Sequence, residues 1–206
     1  MNMLPEKSAV SGMVLAGGRG QRMGAAEKGL LLFQGKPLFM HAAERLLPQV
    51  GTLFVNANRQ VAQYAKGGFP VFSDDPVRFS GPLDGFRTGL RHCATPWLMV
   101  VPCDSPFLPD DMVSGMLAAL FTEKADVAVA ATIRDNQSFP HPVFCLMPLS
   151  LLPHLDGFLQ TGQRKVATWL LSLKVAYARF AEQALVNINT PEELRDRESF
   201  HELNLL

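Results

Sequence analysis

The sequence predicts an α/β fold: one domain of three layers, α/β/α, around a mostly parallel central sheet. Three observations carry this. Short apolar runs alternate with amphipathic stretches over the first two-thirds of the chain, the pattern of strands joined by crossover helices. The early runs end in glycine, asparagine or aspartate, the residue types expected where the carboxyl ends of strands face a ligand. The chain has 206 residues, 48% hydrophobic and 18% charged, enough to bury a sizeable core.

The elements follow in order. "AVSGMVLA" (9–16) is apolar and too short for a helix, so it reads as a buried strand. Gly35 marks a turn. In "PLFMHAAERLLPQV", Leu38, Ala42 and Leu46 share one helical face and Pro37 stands near the start. "TLFVNAN" (52–58) and "FPVFSDD" (69–75) read as the second and third strands. "GPLDGFRTGLRHC" places Leu83, Phe86 and Leu90 on one helical face. "PWLMVVPCD" (96–104) is an apolar strand that stops at Asp104. "PDDMVSGMLAALF" reads as a helix with acidic residues in its first turn, where the dipole favours them. "DVAVAATI" (126–133) is another strand. "HPVFCLM" reads as a further strand that Pro140 and Pro142 restrict to an edge or a start. Two helices are expected near 149–160 and 164–173, then the strand "VAYARF". Thr190, Pro191 and Glu193 form a capping box for a last helix.

Composition excludes several classes of function. Formal net charge is zero, a poor match to nucleic acid or to a membrane surface. No apolar run approaches the roughly 20 residues of a membrane span, and no signal peptide is read at the N-terminus. Cys93, Cys103 and Cys145 are odd in number and irregular in spacing, which predicts free thiols and a cytoplasmic location. There is no CxxC pair for zinc. His141 and Cys145 alone make too weak a pair for a metal.

The stretch "VLAGGRGQRMGAAEKGLLL" (14–32) carries the chemistry. It fails GxGxxG, because Met23 stands where the third glycine belongs. It fails the Walker pattern, because Lys28 lies between Glu27 and Gly29. The physics needs neither expression. Consecutive glycines let backbone N–H groups close on an anion, and Arg22 and Lys28 add charged donors. Glycines alone are equally consistent with a flexible loop. Polar residues past the other strands, Asn56 and Asn58, Asp74 and Asp75, and Asp104, converge with this loop if the sheet is parallel. Each has a plainer reading as a turn or capping residue.

"LAGGRGQRMGAAEKGLL" resembles the LAGGxSxRMGxxK signature of nucleotidyltransferases that activate sugars and cofactors with nucleoside triphosphates. "LFVNANR", "FSDDPVRFSGPLDG", "VPCDSPFLP", "HPVFCL" and "VNINTPEEL" follow in the order found in molybdenum cofactor guanylyltransferases of the MobA type. The resemblance runs from Gly12 to about Leu194. Gly20 departs from the usual serine or alanine at a position that is small in all cases.

The resemblance implies a Rossmann-like nucleotidyltransferase that joins GMP from GTP to the terminal phosphate of molybdopterin and releases pyrophosphate. It implies one domain over 1–206, with about 8–110 for the nucleotide and about 125–195 for molybdopterin. Mg²⁺ is the implied cofactor, held by Asp104. Arg22, Lys28 and Asp104 are the catalytic candidates. Leu15, Ala16, Gly17, Gly18, Lys28, Asn56, Asp74 and Asp104 are the nucleotide candidates. His141, Arg164, Lys165, Asn187 and Asn189 are candidates for molybdopterin. Arg164 and Lys165 are equally well explained as a solvated pair, and Asn189 as a turn residue. A monomer is expected, with molybdoenzymes or their chaperones receiving the product. The rivals are a cytidylyltransferase for the same cofactor, a sugar-nucleotide pyrophosphorylase, and a non-catalytic nucleotide or cofactor carrier.

Overall fold

The computed structural model describes residues 4–16, 27–75, 81–135, 137–188 and 193. Within them lie nine strands: β1 (Val10–Leu15), β2 (Leu32–Phe33), β3 (Lys36–Pro37), β4 (Thr52–Asn56), β5 (Val71–Phe72), β6 (Trp97–Pro102), β7 (Val127–Arg134), β8 (Gln137–Pro148) and β9 (Val175–Phe180). The α-helices are α1 (Leu38–Leu46), α2 (Val61–Ala65), α3 (Pro82–His92), α4 (Met112–Glu123), α5 (Leu152–Gln160) and α6 (Val166–Leu170).

Seven strands form one sheet in the order β5-β4-β1-β6-β8-β7-β9. β5, β4, β1 and β6 run parallel, as do β7 and β9, while β8 runs antiparallel to both its neighbours. All six residues of β1 are buried, as a strand covered on both faces must be. One face packs on α1, Tyr64 of α2 and α4. The other packs on α3, α5 and α6. The predicted three layers are therefore present.

The chain leaves β1 for β4 and β5 on one side, then returns past β1 to β6 on the other. This reversal opens a crevice outside the carboxyl ends of β1 and β6, where ligands of such sheets bind. β2 and β3 form a separate hairpin. Its turn, Gln34–Gly35, has positive φ at both positions, as a two-residue primed turn requires. Phe33 and Leu38 there form a small core with Ile188.

Local differences from the sequence reading have physical causes. The strand expected over 52–58 ends at Asn56, and Asn58 instead turns its side chain onto Asp74. Asp110 and Asp111 precede α4 rather than filling its first turn. The helix expected over 164–173 is shorter, Val166–Leu170. "HPVFCLM" belongs to a twelve-residue strand, β8, inside the sheet. Pro140 and Pro142 lie before Cys145, where pairing with β6 begins, and Pro148 is the last residue of the strand. Pro140 pairs with β7 alone, and Pro142 falls where the register against β7 shifts, an edge-like and an irregular position of the kind that take proline. Thr190 and Pro191 of the expected capping box lie outside the described residues.

Candidate active site

Four strand ends meet at the crevice. Ala16 follows β1 and hydrogen-bonds through its N–H to the Asn56 carbonyl, 2.8 Å away. Cys103 follows β6 and donates its N–H to the Leu15 carbonyl at 3.1 Å. Leu15, Ala16, Asn56 and Asp104 are thus held side by side by the sheet ladder itself.

Asn56 and Asp74 are both buried. Asn56 Nδ2 donates to Asp74 Oδ1 at 2.8 Å and to the Phe72 carbonyl at 3.2 Å. Thr88 Oγ1 donates to the same Asp74 oxygen at 2.7 Å. Asn58 Nδ2 donates to Asp74 Oδ2 at 2.8 Å and its Oδ1 accepts from the Asp74 N–H at 2.7 Å. With both amide hydrogens engaged, the Asn56 orientation is fixed, and Oδ1 is left buried without a hydrogen-bond partner. Such an atom costs free energy unless something donates to it.

Lys28 Nζ lies 3.1 Å from Asp104 Oδ2. The lysine opens a short turn, Lys28–Leu30, and the aspartate follows β6. Asp104 is 8% exposed, and its second oxygen, Oδ1, is buried with no hydrogen-bond partner. A carboxylate with one oxygen on a cation and the other unengaged is a ready ligand. Beside it, the Cys103 thiol is pushed well above its ordinary range, by burial first and by the adjacent Asp104 charge second. Both effects favour the protonated thiol over the nucleophilic thiolate.

The C-terminal segment reaches the same place. The Ile188 N–H donates to the Asp104 carbonyl at 2.8 Å, and Ser105 Oγ donates to Asn187 Oδ1 at 2.6 Å. Asn187 also lines a cleft of about 330 Å³ with Thr132, Phe139, His141 and Val186. His141 Nε2 and Thr132 Oγ1 are 3.1 Å apart, and burial lowers the histidine pKa. Arg164 and Lys165 do not line this cleft. Arg164 donates to the Leu159 and Gln163 carbonyls, both at 2.7 Å, which closes the end of α5. Lys165 is exposed just before α6. Gly17, Gly18, Arg22 and Asn189 lie outside the described residues.

Asn58 stands among the polar residues expected past the strand ends, whereas nothing in the sequence marks Thr88, Glu27 or Arg59 as site residues. Nor does it mark the buried ion pair Asp84–Arg87 on α3, 3.0 Å apart without hydrogen-bond alignment.

The chain is a nucleotidyltransferase, as its match to a family model and to named relatives shows. Solved structures of the same shape include CMP:2-keto-3-deoxy-manno-octonic acid synthetase complexed with CTP, with TM-score 0.72 at 12% identity over 97% of this chain and all (100%) of that one. Molybdopterin-guanine dinucleotide biosynthesis protein A from Archaeoglobus fulgidus gives TM-score 0.73 at 22% identity, covering 94% and 99% of the two chains. Residues 12–176 match the MobA-like NTP transferase domain. The molybdenum cofactor guanylyltransferase of Cupriavidus necator is 47% identical over 92% of this chain and 96% of its own. That of Bordetella pertussis is 47% identical over 94% and 99%. The chain belongs to the MobA-like NTP transferase family, among the molybdenum cofactor guanylyltransferases.

Proposed function

We propose that this enzyme transfers GMP from GTP to the terminal phosphate of molybdopterin. One observation carries the site assignment: the Lys28–Asp104 pair at the carboxyl ends of the sheet, with one Asp104 oxygen still unengaged. The acceptor phosphate oxygen forms the new bond to the α-phosphorus. The bond from that phosphorus to the bridging oxygen of the β-phosphate breaks, and pyrophosphate leaves. No protein nucleophile is needed, so the chain's task is alignment and charge neutralisation.

Lys28 exchanges Asp104 for the triphosphate when GTP enters, since an ammonium serves either anion. Leu15, Ala16, Asn56 and Asp74 form the nucleoside side of the crevice, together with Gly17 and Gly18, and Arg22 adds charge at the phosphates. The buried Asn56 Oδ1 accepts a hydrogen bond from the nucleoside.

The donor set fits magnesium. Among the described residues no three His, Cys, Asp or Glu side chains cluster, and Asp104 offers a single carboxylate. Mg²⁺ takes one or two carboxylates and completes its shell with phosphate oxygens and water. Bound there, it would polarise the α-phosphate and neutralise the leaving pyrophosphate.

The 137–188 region forms the acceptor side. His141 and Asn187 share a cleft, and Asn187 is tied to Ser105, next to Asp104. Arg164, Lys165 and Asn189 are assigned to the acceptor by resemblance alone, and the first two do not line this cleft. The three free, buried cysteines suit the cytoplasm, and among the described residues no helix is long and apolar enough to cross a membrane. Molybdoenzymes or their chaperones are the natural recipients of the product.

The test incubates the protein with molybdopterin, Mg²⁺ and either GTP or CTP and measures pyrophosphate. Release with GTP is expected. Release with CTP alone overturns the base assignment. D104A should lower turnover at least ~100-fold with an unchanged circular dichroism spectrum. Full turnover by D104A removes the metal assignment, and GTP binding without turnover in the wild-type protein would favour a carrier.

A further inference from the structure

The loop after β4 touches two walls of the crevice at once. Its first grip is on Glu27. That side chain is 10% exposed, and Arg59 Nε sits 2.6 Å from its Oε1. A carboxylate so enclosed needs a partner, and Arg59 supplies it. The Glu27 carbonyl also accepts from the Leu30 N–H at 2.9 Å, closing the turn that Lys28 opens. On the far side of that turn, Gly29 presses on the interior. A Cβ there would lie 2.6 Å from the Tyr64 hydroxyl and 3.1 Å from Cys103 Sγ. The turn is thus held by Arg59 at one end and by a tight glycine contact in its middle. Between them stands Lys28, which reaches Asp104.

The second grip is on Asp74. Asn58 both donates to its carboxylate and accepts from its N–H, and Thr88 completes the hold from α3. The next residue after Arg59, Gln60, has φ of 51°. A non-glycine residue persists in that region only where its surroundings over-determine it. Here the chain must reverse after its grip on Glu27 to begin α2.

We infer that Arg59 and Asn58 are positioning residues of the transfer site. Arg59 acts through Glu27 on Lys28, and Asn58 acts with Thr88 on Asp74. Neither touches substrate. The inference rests on the reading of Lys28 and Asp74 as nucleotide residues.

A double-mutant cycle tests it, with kcat/KM for GTP and calorimetric GTP affinity as readouts. R59A is expected to lower kcat/KM by about 10- to 100-fold, while R59K, which keeps a cation for Glu27, retains most of it. Because Arg59 is exposed, R59A should fold. In a K28A background, R59A should add less than about a twofold loss, because residues that act through one another are not additive. N58A should behave in the same way toward D74A, raising KM for GTP in the wild-type background only. Additive losses overturn the inference, as does a fall in Tm with kcat/KM unchanged. A fully active K28A refutes the nucleotide reading itself and takes the inference with it. An impaired K28A with additive R59A refutes the inference alone.

Discussion

Gly85 shows how a single atom sets the crevice. A Cβ at this position would lie 2.3 Å from Leu15 Cδ1 and 2.9 Å from Asn56 Oδ1. The glycine lets α3 approach β1 and β4 closely enough for Thr88 to reach Asp74. G85A should therefore cost about 1–3 kcal/mol of stability through overpacking and raise KM for GTP, because the methyl group displaces Leu15 and Asn56. Denaturant titration and steady-state kinetics check the two effects together. His141 makes a different prediction. Burial disfavours its charged form and lowers its pKa from 6.5. The unfolded chain then takes the proton first, so this contribution to stability is complete above the unfolded value and is lost as pH falls through it. Between about pH 7.5 and about pH 5.5, the wild-type protein should lose more stability than H141Q. Equal losses in urea titrations would remove the effect.

Helix α3 carries the same logic along an element. Its Leu83, Phe86 and Leu90 face the core as the periodicity predicts, but Asp84 and Arg87 are buried too. Asp84 stands in the first turn, where the helix dipole favours a carboxylate, and Arg87 one turn on neutralises it. R87A should cost about 3–5 kcal/mol by leaving that carboxylate buried without its guanidinium. Asp84→Asn combined with Arg87→Met should cost clearly less, and thermal unfolding of both variants decides. Periodicity made the apolar face of this helix legible. It could not show the ion pair, because charged residues at that spacing ordinarily face water. The strands were legible for a related reason: runs such as 97–102 are apolar on both faces, which only a covered sheet requires. The antiparallel direction of β8 left no mark in its composition.

At the scale of the whole molecule, the crevice was half legible. Asn56, Asp74 and Asp104 follow three different strands, and the rule that ligands sit outside strand carboxyl ends is enough to bring them together. Asn58, which the same rule marks, partners Asp74, but Thr88 and Arg59 lay beyond it. Their contacts join positions many residues apart, and each residue type is common in loops and on helix surfaces. The cleft of His141 and Asn187 was placed by resemblance, and the fold adds that Asn187 belongs to the neighbourhood of Asp104 as well.

That last contact bears on how such enzymes diversify. Residues 187 and 188 are fastened to 104 and 105, and Ile188 fills the small core beneath the hairpin with Phe33 and Leu38. The 137–188 region, proposed above as the acceptor side, therefore has no clean seam along which it can be cut and exchanged. A graft that replaces the cleft of His141 and Asn187 also replaces the strap across Asp104. New acceptor preference in this architecture must come by substitution inside the cleft, one side chain at a time, while the chain is inherited whole.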